Sequence, residues 1–274
     1  MVLKNIAVCS EQAIAPRRTQ EEGDVAREQE RRDLRRGGSI GGAAARAFAR
    51  EGARVFLAGR TLATLDEVAE EIRSAGGVAE TQQVDALDEK AVDEHADAVA
   101  EKAGGIDISF NLISHGDVHG TPLAEMALAD FERPIVTAVR TTFLTSRAAA
   151  RHMIRQGSGV ILVFGGSGDP MRDYYIGGTQ IAFEALESMR RQLASELGRH
   201  GVRVVTLRTG GVLESITKSV PGRERIVEGI EKETILGRAA TLEDVGNVAA
   251  FVVSERARTM TAATANISCG ALVD

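Results

Sequence analysis

The chain reads as a single α/β domain, a doubly wound parallel sheet with helices on both faces. Three observations predict this. From Ala53 onward, short apolar runs alternate with longer amphipathic ones, as strands alternate with crossover helices. Most of the short runs are rich in Val, Ile and Leu, which suits strands covered on both sides. The length, 274 residues of which 43% are hydrophobic and 26% charged, allows a sizeable core, and no repeat or linker divides it.

The expected strands are Arg54–Ala58, Val78–Val84, Ile106–Ile113, Val160–Phe164, Val202–Leu207 and Ala263–Ile267. Between them Leu62–Ala75, Asp88–Ala103, Ala129–Gln156, Thr179–Arg199 and Leu242–Ser254 carry apolar residues at helical spacing; Ile181, Leu186, Met189 and Leu193 are one such stripe. Thr241 to Asp244 has the form of a capping box, a hydroxyl and a carboxylate satisfying free backbone donors at the start of the last helix.

Residues 1–36 form an atypical N-terminal segment, distinct from the domain expected over 37–274. Lys4–Cys9 fits a short first strand through Ile6, Ala7 and Val8. From Arg17 to Arg36, seven arginines and six acids share 20 positions, so this stretch cannot be a buried central strand. It reads as a solvated helix or a disordered excursion, its near-balanced charge giving no strong pull on an acidic partner. A shifted reading frame over roughly residues 10 to 36 would account for the abrupt change in composition; the coding DNA tests this.

Several function classes are excluded at this level. No apolar run approaches the roughly 20 residues of a membrane span, and no signal peptide is evident, so a cytoplasmic protein is expected. Cys9 and Cys269 have no metal-ligand spacing and read as reduced, small core residues; no metal site is expected. A net charge of −6 and the absence of Trp argue against nucleic acid as a partner.

The glycine run Gly37, Gly38, Ser39, Ile40, Gly41 leads into a helix and then into the strand at Arg54. Such a turn lets backbone amides and a helix N-terminus approach a pyrophosphate. It equally serves as a tight turn that packs helix against sheet. Arg60, just past the second strand, stands where a guanidinium would meet a 2′-phosphate, favouring NADP(H) over NAD(H), or is a solvent-facing arginine. Asp85 either meets the adenine edge or caps the helix beginning near Asp88.

Taken in order, Gly38–Gly41, Phe48–Val55 with Gly59 and Arg60, Val84–Asp85, Ile106–Asn111, Leu193–Val205, Thr259–Thr261 and Gly270 resemble the short-chain dehydrogenase/reductase family. The resemblance runs from about Gly37 to the C-terminus. It implies a seven-stranded Rossmann-like sheet, a nicotinamide cofactor with Asn111 among the residues near it, a homodimer or homotetramer built on the long middle helices, and hydride transfer to or from a carbonyl or alcohol.

The family's chemistry rests on a Tyr-x-x-x-Lys pair, a serine about 13 residues before it and an asparagine further upstream. The chain has two tyrosines, Tyr174 and Tyr175, and the residues four beyond them are Gly178 and Thr179. Aligned on the flanking motifs, Thr179 takes the tyrosine position, Phe183 the lysine, Gly166 the serine and Ala138 the asparagine. Ser167 and Tyr175 remain as catalytic candidates. A phenol without a neighbouring lysine is a poor base at neutral pH, since it ionises near pH 10, but it still donates a hydrogen bond. His115, after the fourth strand, reads as a surface loop residue rather than a catalyst. The resulting expectation is an NADP(H)-linked oxidoreductase with a degenerate site and an unknown small-molecule substrate. Its alternatives are a non-catalytic binding or oligomerisation protein and a non-redox enzyme using the same pocket.

Overall fold

The computed structural model describes residues 5–10, for backbone only, and 40–166, 175–216 and 223–273. The charged segment 17–36, Gly37, Gly38, Ser39 and Ser167 lie outside the described residues. Seven parallel strands, β1 (Asn5–Ser10), β2 (Arg54–Gly59), β3 (Val78–Gln83), β4 (Ile108–Leu112), β5 (Gly159–Gly165), β6 (Val202–Thr209) and β7 (Ala263–Ile267), form one sheet in the order β3-β2-β1-β4-β5-β6-β7. The fold is the expected Rossmann-like doubly wound α/β domain. β1 pairs with β2 from Asn5 opposite Arg54 and with β4 from Ile6 opposite Ile108, so the N-terminal strand is central to the sheet.

The helices are α1 (Ile40–Arg50), α2 (Leu62–Ser74), α3 (Glu89–Ala103), α4 (Leu128–Gln156), α5 (Thr179–Leu197), α6 (Arg223–Glu233) and α7 (Leu242–Val253). One core face is built on Phe48, Leu57, Phe110, Leu162, Leu207 and Val245. The opposite face is built on Phe56, Ile106, Met153, Ile161, Leu186 and Val204. Two cores on two faces of one sheet follow from apolar residues at successive strand positions. β3 departs from that pattern: it is the sheet edge, with Val78 half exposed and Gln82 and Gln83 facing solvent.

α7 starts as expected. The Thr241 hydroxyl accepts from the Asp244 N–H at 3.0 Å and the Asp244 carboxylate accepts from the Thr241 N–H at 3.0 Å. α6 has no apolar stripe in its sequence, which is mostly charged; Ile230 is deeply buried among its described residues. Cys269 is a free, partly buried cysteine against the first core face. No helix among the described residues is long and apolar enough to cross a membrane, and no group of three metal-ligating side chains occurs among them.

Candidate active site

In such sheets ligands bind beyond the carboxyl ends of the strands, at the point where the strand order reverses. Here that point lies between β1 and β4. The connection from β1 leads to α1, whose first turn carries Ile40 and Gly41. Gly41 and Gly42 are buried, so backbone rather than side chain faces the neighbouring strands. Beside it, Arg60 follows β2 as an exposed side chain while its carbonyl accepts from Gln83 Nε2 at 2.9 Å. Asp85 follows β3 and accepts from the Leu87 N–H at 2.9 Å, making a turn rather than a helix cap. The cap of α3 is Asp88, which accepts from the Ala91 N–H at 3.1 Å.

Asn111 points inward. Its Oδ1 accepts from the Ile113 N–H at 3.0 Å, and its Nδ2 donates to the hydroxyls of Thr141, Thr142 and Thr145 at 3.2 to 3.3 Å. Thr141 and Thr145 in turn donate to the carbonyls of Thr137 and Thr141 at 2.8 Å, which leaves their lone pairs facing the amide. The side chain thus fastens the end of β4 to α4.

The four positions that the sequence aligns with the family's catalytic side chains lie on α4, the end of β5 and α5, on the other side of the crevice. Ala138 is fully buried in α4. Thr179 opens α5 and is buried, its hydroxyl lacking a hydrogen-bond partner among the described residues. Phe183 lies one turn further on. Gly166 follows β5, and a Cβ built on it would fall 2.5 Å from Phe183 Cε2. The ring therefore occupies the space a serine would need, and the two replacements fit each other.

His115 departs from its expected place on the surface. Its ring is partly buried and meets Phe183 edge-on, the centroids 6.1 Å apart. Burial pushes its pKa down from the ordinary histidine value, while Asp117 pulls it back up. The available signal was its position just past the apolar run ending at Ile113, at a strand's carboxyl end. Tyr175 is 47% exposed with a φ of 45°, and its carbonyl accepts from the Gly120 N–H at 3.1 Å, joining its segment to the loop that carries His115.

The arrangement matches known proteins. The family model described as enoyl-(acyl carrier protein) reductase matches residues 36–271. An uncharacterized oxidoreductase of Bacillus subtilis is 30% identical over 222 residues, 79% of this chain and 81% of that protein. The chain belongs to the short-chain dehydrogenase/reductase family. A relative within it, gluconate 5-dehydrogenase of Gluconobacter oxydans, is 29% identical over 215 residues, 78% of this chain and 83% of its own. Among solved short-chain dehydrogenase/reductase structures, a gluconate 5-dehydrogenase from Burkholderia cenocepacia in complex with NADP and tartrate superposes with a TM-score of 0.78. It is 19% identical, covering 98% of this chain and 96% of that one, and supports the fold. This short-chain dehydrogenase/reductase keeps its family's sheet and helix order while carrying Thr179, Phe183, Gly166 and Ala138 where the proton-transfer side chains are expected.

Proposed function

We propose that this oxidoreductase is NADP(H)-linked and moves hydride between the cofactor and a small carbonyl or alcohol, at a rate lowered by its degenerate site. The observation that carries the reading is the interlocked pair at the substrate side. Phe183 fills the space over Gly166, so neither the orienting hydroxyl nor the ammonium of the family's machinery has a place there. General acid–base assistance contributes roughly 10²- to 10⁴-fold, which sets the scale of the loss.

The cofactor side fits the group. Gly41 and Gly42 present no side chain to a pyrophosphate at the α1 N-terminus, and Gly37, Gly38 and Ser39 precede it in sequence; Arg60 would hold the 2′-phosphate and Asp85 the adenine edge. When bound, the nicotinamide supplies or accepts the hydride. Tyr175 and Ser167 would donate hydrogen bonds to the substrate oxygen and so polarise it. Gluconate, the substrate named for the Gluconobacter relative, and the simple alcohols 2-butanol and cyclohexanol form a first panel.

Fluorescence titration with NADPH and NADH tests the reading. A guanidinium–phosphate contact is worth about 1.5–3 kcal/mol, so NADPH is expected to bind roughly 10- to 100-fold more tightly, and Arg60→Ala to remove most of that gap. Equal affinities would defeat the NADP(H) preference, and no binding of either cofactor would defeat the oxidoreductase reading. Binding with no turnover on any substrate would favour a non-catalytic role. The same reading places the protein in the cytoplasm as a homodimer or homotetramer on α4 and α5, whose outer faces expose Val136, Phe143 and Ile181. A monomer in light-scattering chromatography would remove the assembly.

A further inference from the structure

Hydride transfer to or from an alcohol leaves a proton to be moved, and the family's tyrosine and lysine are not there to move it. Around the four replaced positions stand an alanine, a glycine, a phenylalanine and a threonine, and none of these titrates near neutral pH. His115 stands against one of them, Phe183. The histidine lies three residues beyond the end of β4, at the carboxyl end of the sheet, where substrate is expected. Its ring packs edge-on against Phe183, which itself covers Gly166.

The other histidines are differently placed. His95 is sealed in the core with Nδ1 2.8 Å from Gln82 Oε1, His152 pairs with Asp97 at 2.8 Å, His200 accepts from Arg199, and His119 is exposed. Nor does Tyr175 fill the role, since its side chain is 47% exposed and the residue four beyond it is Thr179, not the lysine of the family's pair.

We infer that His115 is the catalytic acid–base of this site, taking the hydroxyl proton when an alcohol is oxidised and returning it when a carbonyl is reduced. The inference rests on the hydride-transfer reading above. In oxidation the substrate O–H bond breaks and its proton passes to an imidazole nitrogen. The C–H bond breaks with its electron pair, which goes as hydride to bound NADP⁺, and the oxygen's pair closes the C=O. The alcohol is oxidised, NADP⁺ is reduced, and the imidazolium releases its proton to solvent.

The charges around the ring set which direction is favoured. Asp117 lies on the same loop. From α4, Arg133 packs under Gly116, its Cδ 2.9 Å from where a Cβ would be, and is held by Asp130 at 2.6 Å. The Tyr175 carbonyl accepts from the Gly120 N–H further along that loop, and α5 meets the ring with Phe183. Burial outweighs Asp117 and keeps the imidazole neutral at pH 7, the state of a base. Alcohol oxidation is then open at neutral pH, while carbonyl reduction speeds up as the pH falls below the histidine range.

The test combines three measurements on the full chain. NADP⁺ binding is followed by calorimetry, oxidation of the gluconate, 2-butanol and cyclohexanol panel across pH 5 to 9 by absorbance, and the His115 ring by NMR titration. The expected result is a rate that rises with pH through the midpoint NMR assigns to His115 and then levels. His115→Gln is expected to lose about 100-fold in kcat and the acid limb, with NADP⁺ affinity unchanged, and added imidazole to restore part of the activity of His115→Ala. If His115→Gln binds NADP⁺ and keeps both rate and pH limb, this inference falls and the hydride-transfer reading stands. If NADP(H) does not bind, or binds without any turnover, the reading itself falls and the inference with it.

Discussion

Acidification should destabilise this domain through one buried side chain, His95 on α3. The ring is 4% exposed; its Nδ1 lies 2.8 Å from Gln82 Oε1, and its Nε2 is buried without a hydrogen-bond partner among the described residues. An amide oxygen only accepts, so Nδ1 carries a proton, and a second proton on Nε2 would put a buried charge there with no acceptor among the described residues. Burial lowers its pKa from 6.5 to about 4. In the unfolded chain the ring binds a proton as the pH falls through 6.5, whereas in the fold it does so only near pH 4. The stability tied to the neutral ring is therefore complete above pH 6.5 and is lost progressively between there and about pH 4. At 1.36 kcal/mol per pKa unit, the loss by pH 4 is about 3 kcal/mol. Carboxylates with lowered pKa, among them Glu187 beside Arg190 and Thr206, and Asp244 in the α7 cap, also destabilise the fold on acidification, so the effect must be isolated by difference. His95→Asn keeps a donor toward Gln82 and does not titrate. Urea unfolding of both proteins at pH 7, 6, 5 and 4 should show the wild type losing about 3 kcal/mol more than the variant. Parallel curves, agreeing within about 0.5 kcal/mol after subtraction of the pH 7 offset, would refute a buried neutral His95.

Two further experiments probe the site's architecture. Gly166→Ser places a Cβ 2.5 Å from Phe183 and should cost about 1–3 kcal/mol by thermal melting, with most of that recovered when Phe183→Lys is added; additive melts would show that the two positions are not interlocked. Asn111→Leu removes the bond to the Ile113 N–H and the contacts to three threonine hydroxyls, for an expected loss of about 2–3 kcal/mol in urea; a change below about 0.5 kcal/mol would contradict its structural role.

The strands were legible because buried parallel strands leave apolar runs that little else produces, yet the runs overstate their ends. Ile106 and Ile113 are buried on either side of β4 and belong to no strand. The α7 start was readable to the residue, since its hydroxyl and carboxylate act on backbone three positions away. α6 was not readable, because a helix with seven charged residues in eleven is held by its neighbours rather than by a stripe of its own. The site divides the same way. Absence of Tyr-x-x-x-Lys is a matter of counting, but the fit of Phe183 over Gly166 and of His115 against Phe183 joins three separate elements, and no spacing along the chain encodes it.

The replaced positions also fall on one side of the molecule. Ala138, Gly166, Thr179 and Phe183 belong to α4, the end of β5 and α5, whereas Gly41, Arg60 and Asp85 lie at the ends of β1 to β3 and in α1. The two groups belong to different elements on opposite sides of the point where the strand order reverses. Loss of the family's proton apparatus therefore gives no physical reason for loss of the cofactor platform. Fold membership leaves the reaction itself open, and on the reading proposed above it falls to a few side chains at the ends of β4 and β5, His115 against Phe183 among them.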